Sequence, residues 1–320
     1  MILNLGTRES MDPALAGGKG ASLGKLIGAG FPVPGGFVVS THAYAAFLAA
    51  NDLQPYINGI LDGLDCGNLE QVERKTARIR DRIAAGDFPE PLADAIRDAY
   101  RALGHDLFVA VRSSGTAEDL AGTSFAGLHD TWLDIRGDQA LLNAVRRCWA
   151  SMWTGRAVAY RHGRGFGEEE LSIAVVVQIM VEADVSGVMF IGNPMNARAD
   201  EIVVNASWGL GEAVVSGLVN PDDYILDAKT GLPKARRLGD KALTIRRSDP
   251  PEGGTVKEPT DPALRQRLTL TDRQLKELAA LGVSVTSYYE GVPQDVEWAL
   301  SGGRFHLLQC RPVTGVEFLC

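Results

Sequence analysis

Apolar residues recur along this chain at two different periods, and the period assigns most of its elements. Between residues 68 and 103 they return three and four apart, which predicts two helices broken at "GDFPEP". The run "DQALLNAVRRCWASMWTGRAVAYRHG", residues 138–163, keeps the helical spacing and predicts one long amphipathic helix. Another helix is expected over 272–290, with Thr271 or Asp272 at its N-cap. Short apolar runs bracketed by turn residues read as strands: "FPVPGGFVVST", "LFVAVRSS", "LSIAVVVQIMV", "GVMFIGNP", "EIVVNAS", "DDYILDA" and "KALTIRR". "SDPPEGGTVKEPTDP" is dense in Pro and Gly and is expected to be an exposed loop. The mixture predicts an α+β protein in two lobes, an N-terminal one over 1–190 and a C-terminal one over 191–320.

Composition narrows the function classes. The 320 residues are 45% apolar and 22% charged, an ordinary globular balance with chain enough for about two domains. A net charge of −8 argues against a nucleic-acid partner, whose footprint would be basic. No apolar run approaches the length that spans a bilayer. The start "MILNLGTRES" lacks a basic region followed by an apolar one, and Cys66, Cys148, Cys310 and Cys320 form no C-x-x-C pair. A cytoplasmic protein is expected.

The stretch "PQDVEWALSGGRFHLLQCRPVT", residues 293–314, reads as a hairpin around a three-residue turn, Gly302-Gly303-Arg304. That register sets Glu297 opposite Gln309 and Asp295 opposite Arg311, all four on one face. Val296, Trp298, Leu308 and Cys310 would pack on the other. Two carboxylates, an amide and a guanidinium suit a site for Mg²⁺ and phosphate oxygens. The same residues also suit a surface hairpin with one Asp295–Arg311 ion pair.

Four other stretches invite a nucleotide reading. "GGKGASLG" fails as a P-loop, because Gly20 follows the lysine and Pro13 stands where a glycine is required. Lys19 reaches a phosphate from a flexible glycine loop, or is simply exposed. In "VRSSGTAEDLAGTSFAGLHDT", Arg112 ends an apolar strand and is followed by Ser113, Ser114, Thr116, Thr123 and three glycines. That is a phosphate cradle in composition, or a polar loop in which Arg112 pairs with Glu118 or Asp119. Gln178 interrupts the apolar run "VVVQIMV", either beside an adenine edge or as a satisfied core glutamine. "NASWGLGEAVVSGLVNPDDY" fits a loop closing over a ligand, or a tight turn between strands.

Taken in order, GGKGASLGKL, PVPGGFVVST, VRSSGTAEDL–SFAG, VVVQIMV–SGVMF–NP, GLGEAVVSGLVNPD and PQDVEWAL–LLQCRPVT resemble one family over nearly the whole chain. It is the ATP-binding region of phosphoenolpyruvate synthase, pyruvate phosphate dikinase and rifampin phosphotransferase. The resemblance implies an ATP-grasp-like fold, with ATP held between two lobes, and a reaction that splits ATP to AMP while a pyrophosphoryl group passes to a histidine on a mobile domain. It implies Lys19 and Arg112 on the ATP phosphates, and Gly127 and Thr131 along the phosphate tail or its loop. Gln178 and the backbone after it, through Met180 and Val181, would hold the adenine. Glu297 and Gln309 would coordinate Mg²⁺, Arg311 would clamp the phosphates, and Asp295 would stand as a second acid beside the metal. Leu128 and His129 depart from the glutamines common after SFAG.

The family's phosphohistidine run, a glycine-led T-S/C-H-A-A, is not found in these residues. His42 in "STHAYAAF" is better explained as the start of a helix capped by Ser40 or Thr41. The resemblance therefore implies an ATP-binding module whose histidine domain comes in trans or from a longer parent chain. A second reading is the ATP-binding part of a rifampin phosphotransferase-type enzyme, and a third is a non-catalytic nucleotide-binding regulator.

Overall fold

A computed structural model describes residues 1–116, 131–163, 172–248 and 254–318. The chain divides into two compact units. Unit 1 comprises Met1–Gly30 and Gly35–Met180; unit 2 comprises Phe31–Pro34 and Val181–Cys320. The expected division at residue 190 falls inside a strand, Val185–Asn193, that pairs within the sheet of unit 2.

Unit 1 runs β1 (Ile2–Asn4), α1 (Pro13–Gly28), β2 (Gly36–Val39), α2 (Thr41–Ala50), α3 (Leu53–Leu61), α4 (Leu69–Ala84), α5 (Glu90–Leu103), β3 (Val109–Gly115), β4 (Thr131–Ile135), α6 (Asp138–Ser151), α7 (Gly155–Gly163) and β5 (Ile173–Ile179). Its sheet has the order β1-β2-β5-β3-β4, with every pairing antiparallel. One face packs Phe37, Val39, Val109, Val111, Val175 and Val177 against apolar residues of α2–α6, among them Phe47, Ile79, Ile83, Leu141 and Trp149. The other face meets α1: a Cβ on Gly20 would touch Val38 and Val176. Cover on both faces explains why β5 reads as a continuous apolar run rather than an alternating one.

The two helices expected over 68–103 are present, and they bury Val72, Thr76, Ile79 and Ile83 of α4 and Leu92, Ile96 and Tyr100 of α5. Asn68 caps α4 by accepting from the amide of Gln71. The single helix expected over 138–163 is instead two. Trp153, in the break, is buried with its indole donating to the Tyr44 hydroxyl at 2.8 Å, and Thr154 Oγ1 accepts from Ala157 N to start α7. Tertiary burial of one tryptophan thus overrides the helical period. Helix α2 does begin at Thr41 with exposed His42 in its first turn, but neither hydroxyl caps it: Ser40 makes no capping bond and Thr41 Oγ1 donates to Ala14 O. The glycine-rich stretch around Lys19 is helical rather than a flexible loop, with its one break at Gly17.

Unit 2 runs β6 (Val185–Asn193), β7 (Arg198–Trp208), α8 (Glu212–Val215), β8 (Asp222–Asp227), β9 (Pro233–Arg237), β10 (Leu243–Arg247), β11 (Thr255–Pro259), α9 (Pro262–Arg265), α10 (Asp272–Tyr288), β12 (Gln294–Ser301) and β13 (Arg304–Pro312). Six strands form an antiparallel sheet in the order β13-β12-β6-β7-β8-β9, and β10 pairs with β11 separately. Part of the expected exposed loop over 248–262 is therefore the strand β11. Helix α10 carries a capping box between Thr271 and Gln274 and lays Gly282 against Met189 and Ile191. Residues Phe31–Pro34 join this unit from far upstream: Leu307 N donates to Pro32 O at 2.8 Å, and Phe31 meets Tyr288 edge-on at 5.9 Å. No helix among the described residues is long and apolar enough to cross a membrane.

A fully buried ion pair ties the loops of unit 2 to β8. Lys241 Nζ lies 2.6 Å from Asp222 Oδ1 and also donates to Gly239 O and Arg265 O. The Asp222 carboxylate accepts from Gly239 N at 2.8 Å and Thr269 N at 2.7 Å. Tyr224 adds a hydroxyl that accepts from Leu270 N and pairs with Thr269 Oγ1, and burial pushes its pKa up to about 12.

Removing one partner strands a buried charge, so Lys241→Met should destabilise the chain by about 3–5 kcal/mol in urea unfolding. The unfolded Tyr224 ionises near pH 10 and burial holds the folded one at about 12, so its contribution is complete below about pH 10 and is lost as pH rises towards 12. The fall in urea midpoint over that interval should be shallower in Tyr224→Phe than in the wild-type chain.

Candidate functional site

Each unit carries a set of polar side chains on strands that are otherwise apolar, and pairing register shows which of them share a face. In unit 1, Arg112 of β3 stands opposite Val176 of β5 and Thr131 of β4, while Ala110 stands opposite Gln178. Directly opposed residues lie on the same side of a sheet, so Arg112, Thr131 and Gln178 all occupy the α1 side. Arg112 is 9% exposed and Gln178 1%, whereas Thr131 is exposed. Lys19 reaches the end of β3 from α1, its Nζ donating to Ser113 O at 3.0 Å. Lys19, Arg112, Thr131 and Gln178 are thus assembled on one face. Met180 follows β5, with its amide on Phe108 O, and Val181 opens unit 2. Gly127 lies outside the described residues, as do Glu118, Asp119 and Thr123.

In unit 2 the hairpin of β12 and β13 pairs Asp295 with Arg311 and Glu297 with Gln309, as the sequence predicts. Its turn differs. Ser301 pairs with Arg304, so only Gly302 and Gly303 form the loop, at φ 53° and 76°. Two successive positive φ values define the tight turn that favours glycine at both positions. The residue so released is taken up by a bulge after Glu297: Trp298 pairs with Leu307, and Leu308 is the inserted residue. Leu307, not Leu308, is therefore the buried partner of Val296, Trp298 and Cys310.

The four polar residues face away from α10. Val296 pairs with Met189 on the covered side, whereas Asp295 and Glu297 pair with half-buried Phe190 and Val188. Arg311 donates through Nε to Asp295 Oδ2 at 2.8 Å, and its terminal nitrogen lies 2.7 Å from the same oxygen. The ion pair of the plain surface reading is therefore present, with Asp295 8% exposed and the Arg311 side chain 45%. Glu297 and Gln309 stand side by side, both half-buried. A carboxylate and an amide are hard oxygen donors of the kind Mg²⁺ takes, and Mg²⁺ commonly completes its shell with phosphate oxygens and water. Among the described residues no group of three or more His, Cys, Asp or Glu is placed to hold a metal. Close to the turn, burial and then the charge of Arg304 lower the pKa of His306.

A family described as pyruvate phosphate dikinase, AMP/ATP-binding domain, matches residues 13–317. The chain belongs to this family. The resemblance read from the sequence motifs is borne out. Within the pyruvate phosphate dikinase family it is 44% identical over 308 residues to a probable phosphoenolpyruvate synthase of Methanothermobacter thermautotrophicus, covering 95% of this chain and 44% of that protein. It is 38% identical over 315 residues to a rifampicin phosphotransferase of Streptomyces sp, covering 98% and 36%. A prodigiosin synthesizing transferase, PigC, of Serratia marcescens is 39% identical over 314 residues, covering 98% and 33%. The chain spans less than half the length of these relatives.

The contact of Gly17 with Ser114 escaped the sequence reading, in which Ser114 was only one hydroxyl of a phosphate cradle. Gly17 breaks α1 where the chain passes over β3, and Ser114 meets it there. The pair "GG" before Lys19 and the double serine after Arg112 were the available signals, but only the fold shows that they touch.

Proposed function

We propose that this chain is the Mg-ATP-binding part of a cytoplasmic dikinase-type phosphotransferase, with an ATP-grasp-like arrangement in which both units contribute to the nucleotide site. A pyrophosphoryl group passes from ATP to a histidine on a swivelling domain, supplied in trans or by a longer parent chain, and AMP is released. The observation that carries the reading is the hairpin register, which gathers Asp295, Glu297, Gln309 and Arg311 on the face that α10 leaves open.

Phosphoryl transfer asks little covalent chemistry of the protein and much positioning and charge neutralisation. Lys19 and Arg112 bind phosphate oxygens from unit 1, with Thr131 and Gly127 along the phosphate tail. Gln178 and the backbone at Met180 and Val181 orient the adenine. Arg311 clamps the phosphates from unit 2, held in its orientation by Asp295. Glu297 and Gln309 are the residues that would hold Mg²⁺, which neutralises phosphate charge when bound. A second reading, the ATP-binding part of a rifampicin phosphotransferase-type enzyme, is supported by the Streptomyces relative. The same residues serve both readings, because they act on ATP and not on the final acceptor.

Thermal unfolding of the chain with Mg-ATP, with ATP plus chelator, and with Glu297→Gln tests the site. Saturation to 100 times Kd adds about 2.7 kcal/mol, expected as a rise of several degrees that needs both Mg²⁺ and Glu297. No rise at saturating Mg-ATP would sink the proposal. By calorimetry, Arg112→Ala and Arg311→Ala should each cost about 1.5–3 kcal/mol of Mg-ATP binding, the scale of a charged hydrogen bond. Losses of only a few tenths would return both arginines to purely structural pairing.

A further inference from the structure

Helix α1 is interrupted at Gly17, whose φ of 67° and ψ of 175° are far from helical. In an unbroken helix the amide of Gly20 would bond the carbonyl of Ala16, four residues back. Here a side chain from β3 stands in that place. Gly20 N donates to Ser114 Oγ at 3.1 Å, and Ser114 Oγ donates to Ala16 O at 2.8 Å. One hydroxyl, acting as acceptor and donor at once, thus replaces a missing rung of the helical ladder. Insertion of a side chain into the ladder is a recognised cause of a helix kink.

The contact admits no side chain at Gly17. Ser114 is fully buried. A Cβ on Gly17 would fall 2.1 Å from Ser114 O and 2.3 Å from its Oγ, in a backbone region that essentially only glycine adopts. Lys19 lies inside the bridged turn, between Gly17 and Gly20, and its Nζ bonds Ser113 O. The residue preceding Ser113 on β3 is Arg112. The inserted hydroxyl therefore sets how α1 rides over the end of β3, and with it where the ammonium of Lys19 stands relative to the guanidinium.

We propose that Ser114 is a positioning residue for Lys19, holding α1 open at Gly17 so that the ammonium is presented beside Arg112. Its consequence for the reaction rests on the reading that these two cations bind the phosphates of ATP. Without the hydroxyl, Gly20 N–H and Ala16 C=O lose their shared partner. The turn then closes on itself or loosens, and Lys19 leaves its place in either case.

The test uses the full chain with Ser114→Ala, Lys19→Met and the double variant, and two readouts. The first is the acylation rate of Lys19 by an amine-reactive ester, followed by peptide mass spectrometry relative to exposed Lys257 and Lys276. The second is calorimetric affinity for Mg-ATP and for AMP. In Ser114→Ala the relative rate at Lys19 should rise. Mg-ATP affinity should fall about tenfold, the low end for losing a charged hydrogen bond, while AMP affinity holds. The double variant should bind Mg-ATP no more weakly than Lys19→Met. Ser114→Thr, which keeps the hydroxyl, should restore both readouts towards wild type. If Ser114→Ala does not fold, Ser114→Cys offers only a weakly bonding thiol and carries the same expectations. An unchanged relative rate at Lys19, or additive losses in the double variant, overturns the assignment. A raised rate in a chain whose wild type binds no Mg-ATP keeps the positioning role and removes the nucleotide reading.

Discussion

The polar face of unit 2 depends on a single constraint, the hydrogen-bond register between β12 and β13. Side chains alternate along a strand, so a slip of one residue would turn Glu297 and Gln309 towards α10 and bring Val296 and Trp298 out. Magnitudes show what holds that register. Burying Val296, Trp298, Leu307 and Cys310 contributes on the order of 1.5–3 kcal/mol for each large apolar side chain. An ion pair as exposed as Asp295–Arg311 contributes about 0–1 kcal/mol. The packed face fixes the pairing, and the ion pair follows from it.

Unit 1 works under a harsher version of the same rule, because its sheet is covered on both sides. A polar group in such a strand is costly unless it is bonded. Even so, Arg112, Ser114 and Gln178 all lie buried on the α1 side, while the core against α2–α6 is built from apolar strand residues such as Phe37, Val109, Val111, Val175 and Val177. Uncharged hydroxyls answer this by bonding to backbone, as Ser114 does with α1. A buried guanidinium in a strand is harder to account for by packing alone, and departures of this kind gather at functional sites.

Local periodicity carried most of the fold into view. The helices α4, α5 and α10, the strands β3, β5 and β6 and the outer pairing of the last hairpin were all legible, because each obeys its own repeat over many residues. What stayed hidden depends on contacts between distant segments. Nothing near Trp153 announces that burial against Tyr44 will split a helix. The turn at Gly302-Gly303 and the bulge at Leu308 offset each other, so a wrong turn length still yielded the right pairing of Glu297 with Gln309. Of the candidate residues, Arg112 and Gln178 were read on strands, where they lie, whereas Thr131, read along a loop, opens the unexpected strand β4; their common face required the strand order. Lys241 and Asp222 gave no local signal at all, since a lysine in a loop is ordinarily solvated.

The excursion of Phe31–Pro34 makes unit 2 discontinuous in sequence, and this bears on how the protein is built. The acceptor for Leu307 N and the ring that meets Tyr288 are synthesised before nearly all of unit 1, and their partners only after it. Unit 1, apart from that excursion, is complete once Met180 has emerged, and domains tend to fold as units in order of synthesis. Four residues must then remain unengaged while well over a hundred more are made. The sheet of unit 2 closes on a segment made before most of unit 1, so a chain cut between the units would leave the second half without it.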